Sequence, residues 1–265
     1  MKPKRERLAG VDVLHRPGTG VPLVLLHGIG SDAASWASMM AALDPEIEVL
    51  AWDAPGYGQS APLPDASPTP AHYAAVLAAI LDFLGWDHVV LAGHSLGALF
   101  AARFAVMHPA RVLGLALLSP ALGYGVEPGA TLPPSVQARI DDLDSLGPAV
   151  FAAKRAPRLI FRPEARPNLV AGARRAMAAV NPAGYAQAVR ALGAGKLLED
   201  AANITIPSLV AVGVEDVVTP TANARAVHDA LRNPGPLMLV PDAGHALPQE
   251  APVLVANLLT ELCRG

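Results

Sequence analysis

Six short apolar runs recur along this chain, at residues 22–27, 47–52, 88–92, 112–118, 208–212 and 237–240, and most end beside Gly, Asp or Ser. Runs of this length without polar alternation read as strands buried on both faces. Helical patterns lie among them at 69–84, 97–108, 222–231 and 250–263. Strands alternating with crossover helices predict an α/β protein with a mostly parallel central sheet and helices on both faces. A weaker strand at 11–16 is expected to add antiparallel to one edge. Composition supports a large interior: hydrophobic residues make up 52% and charged residues 16%, against a usual charged share of about 25%.

The alternation breaks once. From about residue 120 to 206 no strand of comparable strength occurs; Pro- and Gly-rich turns and Ala/Arg-rich helical stretches replace it. A loop that long must be structured, so a helical cap is expected at 121–206, inserted into a core of 1–120 and 207–265 and sitting over the C-terminal ends of the strands. Residues 62–70 read as a surface loop.

Several function classes drop out. The longest apolar runs fall far short of the roughly 20 residues a bilayer requires, so no membrane partner is expected. Lys2, Lys4, Arg5 and Arg7 are followed by no apolar h-region, which predicts a cytoplasmic protein. A net charge of −3 supplies no basic field for nucleic acid. The single cysteine, Cys263, reads as a tail thiol without a role. His15, His72, His88, His108 and His228 show no metal-like spacing, so neither metal nor cofactor is expected.

In an open parallel sheet, ligands bind beyond the carboxyl ends of the strands. The run at 88–92 delivers Gly93-His94-Ser95-Leu96-Gly97 between a strand and a helix. A sharp turn there would lift the Ser95 hydroxyl clear of the backbone, beside a helix N-terminus. A serine nucleophile needs a base, and the base an orienting carboxylate, so an acid and then a histidine are predicted at later strand ends. Glu215 and Asp216 follow one run, and His245 follows the next.

At this point the chain resembles the α/β-hydrolase fold family over nearly its whole length. His27-Gly28-Ile29-Gly30 is similar to that family's oxyanion loop, and Asp53-Ala54-Pro55-Gly56-Tyr57-Gly58-Gln59-Ser60 to its turn after an early strand. The Gly-His-Ser-Leu-Gly elbow, Gly213-Val214-Glu215-Asp216, and Gly244-His245 with Glu250 and Pro252 complete the set. The resemblance implies Ser95 as nucleophile, His245 as general base and acid, and Asp216 as its orienting carboxylate, with Glu215 as the alternative. It also implies an oxyanion hole from the backbone N–H groups of Ile29 and Leu96.

Gly28, His27 and His94 are pocket candidates. The His27 side chain is expected to tie down the oxyanion loop rather than touch substrate, and His94 can merely pack. Asp53 is expected to support its turn and Asp242 to brace the His245 loop. Between residues 150 and 190 stand eight basic residues (Lys154, Arg155, Arg158, Arg162, Arg166, Arg174, Arg175 and Arg190) against one acid, Glu164. They read as a solvated face, or as a set from which one or two reach inward to an anionic substrate.

The resemblance implies a serine hydrolase of the carboxylesterase or enol-lactone-hydrolase kind, acting on a small ester, lactone or thioester. Alternatives on the same residues are a carbon–carbon bond hydrolase and a cofactor-free perhydrolase or haloperoxidase. Ile29-Gly30-Ser31-Asp32 lacks the Gly-Pro-Gly usual in the first of these. A non-catalytic small-molecule binder is the alternative of another class. Substrate identity and oligomeric state are not written in one chain.

Overall fold

A computed structural model describes residues 2–265. Eight strands form one sheet: β1 (Lys4–Leu8), β2 (Val11–Arg16), β3 (Leu23–Leu26), β4 (Val49–Trp52), β5 (Val89–His94), β6 (Val112–Leu118), β7 (Ser208–Gly213) and β8 (Pro234–Val240). Their spatial order is β1-β2-β4-β3-β5-β6-β7-β8. β2 runs antiparallel to β1 and β4, and every other pair is parallel.

The helices are α1 (Ala37–Ala42), α2 (Pro70–Leu84), α3 (Leu96–Met107), α4 (Pro134–Arg155), α5 (Pro167–Ala178), α6 (Pro182–Ala194), α7 (Leu197–Ala201), α8 (Thr221–Ala230), α9 (Leu247–Glu250) and α10 (Pro252–Arg264). Successive residues of a strand point to opposite faces, and both faces here are apolar. Val24 and Leu26 of β3 join the layer with Tyr73 of α2 and Phe100 of α3. Leu23 and Leu25 join the opposite layer, with Met39 and Met40 of α1 and Val255 and Leu259 of α10. Helices therefore cover both faces, each driven there by burial of its apolar stripe.

Two elements are additions to the sequence reading. The charged N-terminal residues form β1, so β2 is not the edge strand; β1 is, and its first four residues are exposed. A strand of Lys, Arg and Glu at a sheet edge lacks the apolar alternation by which strands are read, and its charges discourage edge-to-edge pairing. α1 follows a 3₁₀ turn at Ala33–Trp36 capped by the Asp32 side chain, and is too short for a helical period to show. Cys263 is a free thiol packed against the α1–α10 layer, and burial pushes its pKa up to about 12.

Between β6 and β7 the chain is helical, forming α4 to α7 with no strand among them. α4 kinks at Gly147-Pro148, where Pro148 removes a backbone donor. α7 packs on α3 and α8, against the main body of the fold.

Sheet register fixes where the chemistry falls. Leu26 of β3 pairs with Gly93 of β5, Gly93 with Leu117 of β6, and Gly213 of β7 with Val240 of β8. The residues leaving these strands (His27, Ser95, Ser119, Asp216 and His245) therefore emerge along one edge of the sheet.

Candidate active site

Ser95 sits between β5 and α3 at φ 54°, ψ −111°. A positive φ costs a non-glycine residue about 1–3 kcal/mol, so the surroundings must impose it. They do so through hydrogen bonds: the Ser95 N–H donates to Leu118 O at 2.9 Å, and Ser95 O accepts from Ala98 at 3.1 Å and Ala121 at 3.2 Å. Close packing also requires small neighbours. A Cβ on Gly97 would lie 2.1 Å from Leu26 O, and one on Gly93 2.3 Å from Gly97 O. The two glycines of the elbow are thus dictated by contact between β3, β5 and α3.

His245 lies in the loop between β8 and α9. Its Nδ1 is 2.9 Å from Asp216 Oδ2, so Nδ1–H donates to the carboxylate and Nε2 keeps its lone pair. Asp216 Oδ1 accepts from the N–H groups of Val218 and Thr219, both at 2.8 Å. Burial opposes ionisation of Asp216, but the His245 hydrogen bond and charge, with the two backbone donors, bring its pKa down to about 2. Glu215 is exposed. Of the two adjacent acids, only Asp216 meets the imidazole.

Thr219 was not legible as part of this group. Its Oγ1 is 2.9 Å from Asp216 Oδ2, 2.9 Å from Ser119 O and 3.1 Å from His245 Nδ1. An Asp followed three residues later by Thr, in a turn whose amides bond the carboxylate, was the only available signal.

Ser95, His245, Gly28, Ile29, Leu96 and His94 line one cavity of about 380 Å³ between the strand ends and helices α4–α6. His27 does not. Its place among the pocket candidates is corrected: its ring is buried, with Nδ1–H donating to Gly28 O at 2.8 Å and Nε2 accepting from Ala54 N–H at 3.0 Å. Burial lowers its pKa, so it stays neutral. Gly28 O also accepts from Ser31 at 3.2 Å. With no cis peptide present among the described residues, the Ile29 N–H of the same planar unit points the opposite way, away from His27 and Ser31. The amides of Gly30 and Ser31 are already engaged, by Tyr57 OH at 3.2 Å and by Gly28 O.

Other residues brace this site. Asp53 Oδ1 accepts from Ala33 N–H at 2.7 Å, while Oδ2 meets Arg5 of β1; Asp53 O accepts from Ser60 Oγ at 2.7 Å. Asp53 thus holds the loop after β3 as well as its own turn. His94 Nε2–H donates to His245 O at 2.7 Å, and burial, then the neighbouring His245, lower its pKa to about 3. Glu250, whose side chain is fully buried, accepts from Gly244 N–H at 2.9 Å, Phe161 N–H at 2.8 Å and Arg166 at 2.8 Å. Arg166 also donates to Asp242 O at 2.9 Å. Asp242 thus braces the loop through its backbone, at φ 56°.

Of the eight basic residues counted in the sequence, Arg155 and Arg158 line the cavity and Arg166 turns to Glu250. Lys154, Arg162, Arg174 and Arg175 are exposed, and Arg190 borders a separate depression. Arg139, outside the counted window, also lines the cavity.

This fold and this strand-edge site define the α/β-hydrolase class, and the chain belongs to the α/β hydrolase fold family, whose model matches residues 21–252. Among its relatives is a Variovorax paradoxus protein with the provisional name carbamate hydrolase RutD, 30% identical over 261 residues and covering 95% of both chains. Among solved structures, a thermophilic esterase of Thermogutta terrifontis, solved with malate bound, superposes with a TM-score of 0.86 at 25% identity, covering 98% of both chains. The enol-lactonase of Burkholderia xenovorans shares the fold, with a TM-score of 0.85 at 23% identity over 99% of this chain and all of its own. Among the described residues no helix is long and apolar enough to cross a membrane.

Proposed function

We propose that this protein is a serine hydrolase that cleaves a small carboxylic ester, lactone or thioester through an acyl-enzyme on Ser95. The observation that carries this reading is the strained Ser95 elbow sharing one cavity with an imidazole whose Nδ1–H is held by Asp216. Helices α4–α6 serve as the cap that closes this cavity over the strand ends.

In the first half-reaction Ser95 Oγ attacks the substrate carbonyl while His245 Nε2 takes the hydroxyl proton. The carbonyl oxygen becomes an oxyanion, stabilised by the N–H groups of Leu96 and Ile29. Leu96 opens α3, so its amide adds the positive end of the helix dipole. The Ile29 amide is aimed by the His27–Gly28 hydrogen bond. Loss of one such donor typically lowers turnover about 100- to 1,000-fold. His245 then returns its proton to the leaving oxygen or sulfur, the tetrahedral intermediate collapses, and the acyl group remains on Ser95. In the second half-reaction His245 draws a proton from water as its oxygen attacks the acyl carbonyl; the intermediate then collapses, the bond to Ser95 Oγ breaks, His245 returns the proton to that oxygen, and the acid leaves. Asp216 stays ionised throughout and stabilises the imidazolium, consistent with its lowered pKa.

The test is a fluorophosphonate probe followed by mass spectrometry, with an ester and lactone panel of graded acyl length. A single adduct mapping to Ser95, and loss of turnover in Ser95→Ala, are expected. Folded protein that gains no adduct and hydrolyses no member of the panel would overturn the reading.

A further inference from the structure

We infer that the cavity holds a second, anion-binding subsite formed by Arg139, Arg155 and Tyr185 with Arg158 at its rim, and that the substrate carries a carboxylate remote from its scissile carbonyl. The subsite's place in catalysis rests on the reading of Ser95 given above; its affinity for anions does not.

Charge is the first argument. Three guanidinium groups line the cavity, and no aspartate or glutamate does. Arg155 is paired, 2.9 Å from Asp142, but Asp142 also meets Lys154 at 3.8 Å and so is shared between two cations. Among the described residues, neither Arg139 nor Arg158 has a carboxylate within the 4.0 Å of an ion pair. The cavity wall therefore carries cations in excess of the acids that neutralise them. Arg158 is exposed, but Arg139 is partly buried, and a partly buried cation without a partner is costly to the fold, a cost recovered when an anion binds.

Convergence is the second. Arg155 is only 22% exposed; its guanidinium lies 4.9 Å from the centre of the Phe151 ring, and its Nε is buried without a hydrogen-bond partner. The Tyr185 ring meets the same Phe151 edge to face, with centroids 5.4 Å apart. Arg139, Arg155 and Asp142 are the charges that act on the Tyr185 hydroxyl. These side chains thus form one cluster, on α4 and α6, in the helical wall of the cavity. Burial keeps the phenol protonated. The cluster offers the cavity guanidinium N–H donors and a phenol, a set that matches a carboxylate acceptor.

Space is the third. A cavity of about 380 Å³ is near the lower end of the range for small-molecule sites. One that must take an acyl group, a leaving group and a remote carboxylate suits a short dicarboxylic half-ester or a carboxylated lactone.

The experiment compares the p-nitrophenyl ester of hexanoic acid with the mono-p-nitrophenyl ester of hexanedioic acid, which differ by a terminal carboxylate. Wild type is expected to favour the anionic ester by about 10-fold or more in kcat/KM, mainly through KM. The ratio should fall to about one in Arg139→Gln/Arg158→Gln. Arg174→Gln, which removes an exposed cation outside the cavity, should leave it where it was. A ratio near one in wild type overturns the subsite and leaves the Ser95 reading intact, as does a ratio that survives the double substitution. Calorimetry of Ser95→Ala with monomethyl hexanedioate and with methyl hexanoate separates the two claims, because it needs no turnover. Tighter binding of the anion that is lost on Arg139→Gln supports the subsite even if Ser95 proves unreactive; equal binding of the two rejects it.

Discussion

At Asp216 two adjacent acids differ by which one the turn faces inward. Asp216→Asn should lower kcat about 1,000- to 10,000-fold, because the amide no longer fixes the Nδ1–H tautomer of His245. Glu215→Gln should leave kcat within about twofold, since surface changes away from such features are small. Steady-state kinetics on one ester decides between them. Thr219→Val, which deletes the hydroxyl between Asp216 and Ser119, should cost about tenfold in kcat, in keeping with loss of a hydrogen bond to a charged group. Unaltered turnover in that variant would mean the two backbone donors alone hold the carboxylate. At this scale the residues at strand ends were legible, because position and residue type coincide at Ser95 and His245. Thr219 was not, since its part exists only once the turn after β7 has folded. Arg139 escaped for another reason: it lies on a helix whose charges look balanced in sequence, and which face of α4 meets the cavity is set by packing.

Among elements, the segment from α4 to α5 is fastened to the loop that carries His245. Ala246 N–H donates to Leu159 O at 2.9 Å, and Glu250 gathers Phe161, Arg166 and Gly244 onto one buried carboxylate. Removing the guanidinium leaves that carboxylate short of a charged partner. Arg166→Ala should therefore destabilise the protein by about 1–3 kcal/mol in urea unfolding. If only packing were lost, Arg166→Lys would restore little; substantial rescue by lysine identifies the charge as the cause. The long apolar strands and α2, α3 and α10 could be read from sequence because burial demands apolar residues at those spacings. β1 and α1 could not, since one is a charged edge and the other too short for a period.

For the whole molecule, acid should loosen the fold through buried histidines. His94 takes its proton near its ordinary 6.5 in the unfolded chain but only near about 3 in the fold. Stability present above pH 6.5 is therefore lost as pH falls below it. Asp200 acts in the opposite sense, since burial raises its pKa to about 6 and favours the protonated fold on acidification. The comparison that isolates His94 is with His94→Asn. Between pH 7 and pH 5 the loss of unfolding free energy should be smaller in the variant by about 1–2 kcal/mol. Equal losses would exclude His94 as the source. A last consequence follows from Arg5. It stands half-exposed on the outermost strand, yet its guanidinium rests on Asp53, whose other oxygen holds the loop bearing Ile29. Disturbance of β1 therefore reaches the loop after β3: proteolytic loss of the strand that carries Arg5 would leave the Asp53 carboxylate without its guanidinium while the rest of the sheet stays paired.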